Sequence, residues 1–316
     1  MNDSKDLVNQ SNNSPQASDQ RSGGFKLLQL GNDNLTIGDY SQSIKYYNQS
    51  LEEASKTNNK LLEEYNLGNL GNAYSSLGQL DKAIELYSLA LIIAREIGDK
   101  QGESNHLGGL SSTYSDLGQF DKAIELYSLA LIIAREIGDK RGESSHLGNL
   151  GNAYSSLGQL DKAIELYSQA LAIAREIGDR RNEGNTLGNL GSIYNDSGKV
   201  NEAKDFFERA LVIASEIGDK RNEGAWLGNL GNVFSHLGEL DKAIEFYSQA
   251  LAIASEIGDK TGEGIQLGNL GNLYKEQGDT LHANTLLRDA LAIFTEIKSP
   301  YTELTKSWLD NLDEGN

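Results

Sequence analysis

The eight residues Leu67-Gly68-Asn69-Leu70-Gly71-Asn72-Ala73-Tyr74 return almost unchanged at 147, 227 and 267, and in looser form at 107 and 187. The chain therefore repeats itself every 40 residues. An internal period of roughly 20 to 50 residues marks a solenoid, in which each unit is too small to bury its own apolar face and becomes stable only by stacking on its neighbours. Contacts in such an array run between adjacent units, so 316 residues read as one continuous array and not as two globular domains. The spacing predicts seven units, 25–60, 61–100, 101–140, 141–180, 181–220, 221–260 and 261–298, the first being the most divergent.

Within a unit the apolar residues recur at helical spacing. Leu67, Leu70, Ala73, Tyr74 and Leu77 share one face of a first helix, A, which Gly78 ends. Ala83, Ile84, Tyr87, Ala90, Leu91, Ala94 and Ile97 form the stripe of a second helix, B, with Asp81 capping or charge-stabilising its start and Gly98 ending it. Asp99 and its counterparts Asp139, Asp179, Asp219 and Asp259 open the turn into the next unit. Of the 34 glycines, 24 fall at the four places held by Gly68, Gly71, Gly78 and Gly98. The first two lie inside helix A, where each costs about 1 kcal/mol relative to alanine. A loss repeated in nearly every unit points to close backbone approach, by helix B over Gly71 and by a neighbour or a ligand over Gly68.

Composition narrows the function. There is no cysteine, which removes disulfide frameworks and thiolate metal sites and fits a reducing compartment. Residues 1–24 are polar and are expected to form a disordered leader, not a signal peptide. The longest apolar runs, such as Leu89 to Ala94, are too short to span a membrane, and a cytoplasmic protein is expected. A net charge of −18 lacks the electrostatic footprint of a nucleic-acid binder and disfavours anionic membranes. Four histidines without zinc spacing, no Gly-rich strand-to-helix loop and no nucleophile elbow argue against an enzyme, a metal site or a cofactor. His106 and His146, one repeat apart, read as packing residues, and Glu85, Glu96 and Asp99 as solvated faces and caps.

The order and spacing of Leu67, Leu70, Gly71, Tyr74, Ala83, Tyr87 and Ala90 resemble a tetratricopeptide repeat throughout residues 25–298. The resemblance implies an all-α solenoid of about seven helical hairpins in a right-handed superhelix, with the A helices lining the concave face. Two departures place it more finely: the period exceeds the usual value of about 34, and helix B lacks its closing proline, having residues such as Arg95 instead. Long repeats of this kind resemble the Leu-Gly-Asn (Pins-like) scaffolds and, more distantly, kinesin light chains. Residues 67–88 are identical to 147–168, and 81–100 to 121–140, which marks recent duplication or consensus design. Ser299-Pro300 then opens a cap helix over 299–316, with Tyr301, Leu304, Trp308 and Leu312 as its apolar stripe opposite Lys306, Asp310 and Asp313.

On helix A, Asn69, Asn72 and Ser76 lie at i, i+3 and i+7, turned away from Leu70, Tyr74 and Leu77. In the resembling family this face lines the groove, so Asn69, Asn72, Asn149, Asn152, Asn189, Asn229, Asn232, Asn269 and Asn272 are expected to form a ladder along it. An amide carries donor and acceptor and can pair with both groups of a peptide backbone. The competing reading is that Asn recurs only because the unit was duplicated. Against it, two Asn and two Gly in eight residues carry a poor helix propensity that a purely structural helix would avoid.

With A helices about 10 Å apart and an extended peptide advancing about 3.3 Å per residue, each unit would read about three ligand residues, and five or six units about 15 to 20. Backbone hydrogen bonds of about 0.5–1.5 kcal/mol each give affinity without selectivity. Selectivity then falls to positions that vary: Tyr65, Asn105 and Asn185 near the start of helix A, and Asp116, Asp196, His236 and Glu276 near its end. The arginines with which Pins-like scaffolds grip acidic peptides are missing from the positions of Tyr65 to Ile265, and Gly68, Gly148 and Gly188 replace the basic residue of a carboxylate clamp. The expected role is a non-enzymatic scaffold that binds an extended, neutral or basic protein segment and acts as a monomer. The alternative is a structural spacer or self-assembling module working through its ends or outer helix-B faces.

Overall fold

The computed structural model describes residues 23–313, and every regular element among them is an α-helix. The expected leader lies outside the described residues except for Gly23 and Gly24, which open the first helix. In chain order the helices are α1 (Gly23–Thr36), α2 (Tyr40–Thr57), α3 (Lys60–Ser76), α4 (Leu80–Ile97), α5 (Lys100–Asp116), α6 (Phe120–Ile137), α7 (Lys140–Ser156) and α8 (Leu160–Glu176). They continue as α9 (Arg180–Asp196), α10 (Val200–Glu216), α11 (Lys220–His236), α12 (Leu240–Glu256), α13 (Lys260–Glu276), α14 (Thr280–Glu296) and α15 (Tyr301–Asp313). Odd-numbered helices up to α13 are A helices and even-numbered ones B helices.

The chain divides into two compact units, one ending at Ile173 and the other beginning at Ala174. The first holds α1 to α7 with most of α8, the second α9 to α15. Within each, A helices pack on their own B helix, on the B helix before them and on the next A helix. This is a two-layer solenoid of helical hairpins.

Local chemistry sets the helix ends. Gly78 and Gly98 adopt φ of 72° and 73°, the left-handed conformation that halts helices A and B. Where Asn58 and Lys298 replace glycine in the first and last hairpins, the backbone still takes φ of 51° and 52°. After the first hairpin the turn is capped by Asn59, and the next five turns between hairpins are closed by a carboxylate: Asp99 Oδ1 accepts from the Gly102 amide at 2.9 Å, and Asp139 repeats this with Gly142. Asp81 does not cap helix B, because the N-cap position belongs to Gln79, so its charge acts on the first turn instead. Arg95 and Lys100 both hydrogen-bond Glu103, at 2.7 and 2.8 Å, tying the end of one hairpin to the start of the next.

The core differs from the sequence pattern at helix ends. Leu77 and Ile97 are exposed, since both lie in the last turn, beyond the reach of the neighbouring helix, while Ile93 is buried in their place. In α15, Tyr301 and Leu304 are also exposed, and the buried stripe is Thr305, Leu309 and Leu312, with Trp308 packed beside them against Ala283 and Leu287. The docking surface of α14 thus selects a stripe rotated by about one residue from the expected one.

Candidate functional site

In four of the seven hairpins the A-helix face that carries the asparagines is built around a hydrogen bond from helix B. Tyr87 donates its hydroxyl to Asn72 Oδ1 at 2.6 Å, Tyr167 to Asn152 Oδ1 at 2.6 Å, and Tyr247 to Asn232 Oδ1 at 2.7 Å. In the first hairpin Tyr47 does the same to Asn32 at 2.9 Å. Burial pushes all four phenols well above their ordinary value, so they remain donors across the physiological range. The tyrosine ring reaches its asparagine by passing over a glycine: a Cβ on Gly71 would stand 2.7 Å from the Tyr87 ring, and one on Gly151 2.6 Å from that of Tyr167.

The two asparagine positions differ in what surrounds them. Asn69 and Asn72 are buried, 5% and 8% exposed, in a closed chain: Asn72 donates to Asn69 Oδ1 at 3.4 Å and Asn69 donates to Asn32 Oδ1 at 3.0 Å. Asn152 is exposed, and Asn149, Asn189, Asn229, Asn232, Asn269 and Asn272 are half-buried. These seven have part of their side chains at the surface, whereas Asn69 and Asn72 turn inward.

Among the variable positions, Tyr65, Asn105 and Asn185 are half-buried, and Asp116, Asp196, His236 and Glu276 are exposed at the far end of their helices. Burial, with the charges of Asp99 and Glu64, pushes the Tyr65 hydroxyl up to about 12. Asn105 accepts from Gln101 at 3.3 Å, Asn185 from Asn222 at 2.9 Å, and His236 stands 3.4 Å from Asn195 Oδ1.

Gly68 is covered by a neighbour. The His106 ring of the next A helix occupies the space a Cβ would need, and Trp226 does the same over Gly188. His106 Nε2 meets the fully buried Glu64 at 2.7 Å, and His146 Nε2 meets Ser104 at 3.0 Å. Burial holds both imidazoles down, to about 4, and pushes the Glu64 carboxyl up to about 9, the nearby Asp99 adding to the shift through its charge and a hydrogen bond. These polar pairs belong to the packing between hairpins. Among the described residues no group of His, Asp and Glu could hold a metal ion, and no helix is long and apolar enough to cross a membrane.

The tetratricopeptide-repeat family model matches in six overlapping segments, 25–96, 64–136, 102–176, 142–216, 182–256 and 222–296. The chain belongs to the tetratricopeptide-repeat family. No curated protein matches it. Among solved structures, BtubC (BKLC) from P. vanneervenii is 25% identical with a TM-score of 0.62, covering 69% of this chain and 92% of that one. A Rap protein complexed with Competence and Sporulation Factor is 18% identical, TM-score 0.66, over 92% of this chain and 86% of its own. A Podosopora anserina putative kinesin light chain with nearly identical TPR-like repeats is 22% identical, TM-score 0.51, over 61% and 94%. The latter two show the fold alone.

One row on this tetratricopeptide-repeat face escaped the sequence reading. Gln101, Arg141, Arg181 and Arg221 sit one turn before the Tyr65-type positions, and their 40-residue recurrence was the available signal. Gln101 donates to the capping Asp139 at 2.8 Å, while Arg181 and Arg221 stand 3.6 and 3.9 Å from Asp219 and Asp259. Basic residues are thus present on the face, but these two lie beside the next repeat's cap, which offsets their charge.

Proposed function

We propose that this protein is a non-enzymatic interaction scaffold that holds an extended segment of a partner protein against the A-helix faces of its repeats. The observation that carries the reading is the set of partly exposed asparagines, two of which, Asn152 and Asn232, are held in place from behind. In Asn152 and Asn232 the tyrosine hydroxyl fixes the carbonyl oxygen, so the side chain is oriented before a ligand arrives and little rotamer entropy remains to be lost. Such amides suit a peptide backbone. Contacts are assigned to Asn149 and Asn152 in the first unit, and to Asn189, Asn229, Asn232, Asn269 and Asn272 in the second. Asn69 and Asn72, buried in their own network, are left out.

Selectivity is assigned to Tyr65, Asn105, Asn185, Asp116, Asp196, His236 and Glu276, which change from repeat to repeat. Asp116, Asp196 and Glu276 lie at the exposed ends of the A helices, and with arginines flanked by carboxylates this favours a neutral or basic segment. The complex of a Rap protein with Competence and Sporulation Factor gives a tetratricopeptide-repeat-like fold with a bound factor as a precedent.

The test uses a displayed library of peptides about 15 residues long, the length that several repeats would span. Peptides selected on the full chain should bind the Asn229→Ala/Asn232→Ala/Asn269→Ala/Asn272→Ala variant at least about tenfold more weakly, a loss of about 1.4 kcal/mol, with helicity unchanged. Equal affinity for the two proteins would remove these amides from the contact surface.

A further inference from the structure

Residues 80–97 and 160–177 differ at two positions only, Leu89 against Gln169 and Ile92 against Ala172. Helix α6 shares the first pattern, with Leu129 and Ile132. All four aliphatic side chains point outward: Leu89 is 43% exposed, Ile92 61%, Leu129 42% and Ile132 60%. The remaining B helices carry Gln49 and Glu52, Arg209 and Val212, Gln249 and Ala252, and Asp289 and Ala292 there. Because α8 forms the same helix with Gln and Ala, the fold does not require Leu and Ile at these sites. They are an added apolar surface, confined to the flanking pair α4 and α6 around α5.

We propose that this face binds a second copy of the chain. Its charges are self-complementary: in an antiparallel register centred on Leu89, Lys82 of one copy falls opposite Glu96 of the other, and Lys122 opposite Glu136 about Leu129 in the same way. Lys82 and Lys122 sit over the Tyr74 and Tyr114 rings, 3.9 and 3.8 Å from their centroids, which holds each ammonium at one end of its aliphatic stripe. The chain's strong negative charge is muted at this patch, where Lys82 and Arg95 accompany Asp81, Glu85 and Glu96. Because residues 81–100 repeat as 121–140, α4 and α6 offer a facing copy the same surface twice. Each helix is about 27 Å long, so the face covers on the order of 500 Å² per copy and about 1,000 Å² per dimer, the lower end for a specific interface. The dimer is therefore a weak one. It leaves the A-helix face open, since the apolar pairs lie on B helices.

Sedimentation equilibrium of the full chain from micromolar to millimolar concentration tests this. The wild type should pass from monomer to dimer, and the Leu89→Gln/Ile92→Ala/Leu129→Gln/Ile132→Ala variant, which copies α8, should melt like the wild type yet need at least about tenfold more protein to dimerise. Lys82→Glu with Lys122→Glu should weaken the dimer, and adding Glu96→Lys with Glu136→Lys should restore it. A wild type that stays monomeric throughout would overturn the proposal. So would a variant that dimerises as well as the wild type, and charge reversal without rescue would overturn the antiparallel register.

Discussion

Residues 67–88 and 147–168 have the same sequence, yet Asn69 and Asn72 are buried while Asn149 is half-buried and Asn152 exposed. What lies within the hairpin is reproduced: the tyrosine-to-asparagine bond is 2.6 Å in both. What lies outside is not. The hairpin before the first copy supplies Asn32, which accepts from Asn69, whereas the one before the second has Ser112 at that position. Identical sequence thus fixes the hairpin, and the preceding helix decides whether its asparagines serve the core or the surface.

The largest effect should be the same in both copies. Gly71→Ala and Gly151→Ala each drive a methyl into a tyrosine ring, and each should cost about 2–3 kcal/mol in urea denaturation. A clear difference between them would show that the two hairpins are not packed alike. Next, Asn72→Ala strands the buried Tyr87 hydroxyl and breaks the link to Asn69, a loss of about 2 kcal/mol, whereas Asn152 is itself exposed, so water can take its place beside the Tyr167 hydroxyl and Asn152→Ala should cost about 1 kcal/mol or less. Equal losses would break the comparison.

A third difference depends on pH. The first copy carries Glu64 where the second carries Ser144. With its carboxyl pushed up to about 9 by burial and Asp99, folded Glu64 keeps a proton that the unfolded chain releases near its ordinary value, so its stabilising contribution is present in acid and lost as pH rises toward 9. Glu64→Gln removes that slope. The melting temperature of this variant, measured relative to the wild type, should climb by a few degrees between pH 5 and pH 8, while that of Ser144→Ala stays level. His106 remains in both proteins, and burial holds it down to about 4, below this range. A flat difference for Glu64→Gln would mean that the carboxyl is already ionised in the fold.

The hairpins were legible in the sequence because nearly every copy restates the same stripe and the same glycine stops. The rotated stripe of α15 was not, since it depends on the surface of α14. The asparagines were only half legible. Their spacing places them on one face, but exposure belongs to the neighbouring helix, which periodicity does not report. Their tyrosine partners were hinted at by the chain's own variation: Asn32, Asn72, Asn152 and Asn232 each precede a tyrosine by fifteen residues, and where Ser192 replaces asparagine, Phe207 replaces tyrosine, although Ser112 with Tyr127 and Asn272 with Leu287 break the pairing. The arginine row was legible too, one turn earlier than the positions considered.

The division of labour between identical residues is tested most directly by calorimetric titration of one library-selected peptide that binds the first unit into two variants, Asn149→Ala/Asn152→Ala and Asn69→Ala/Asn72→Ala, well below their melting temperatures. The account predicts at least a tenfold loss of affinity, about 1.4 kcal/mol, in the first variant and little change in the second, which should instead melt earlier. The reverse pattern, or equal losses in both, would contradict it.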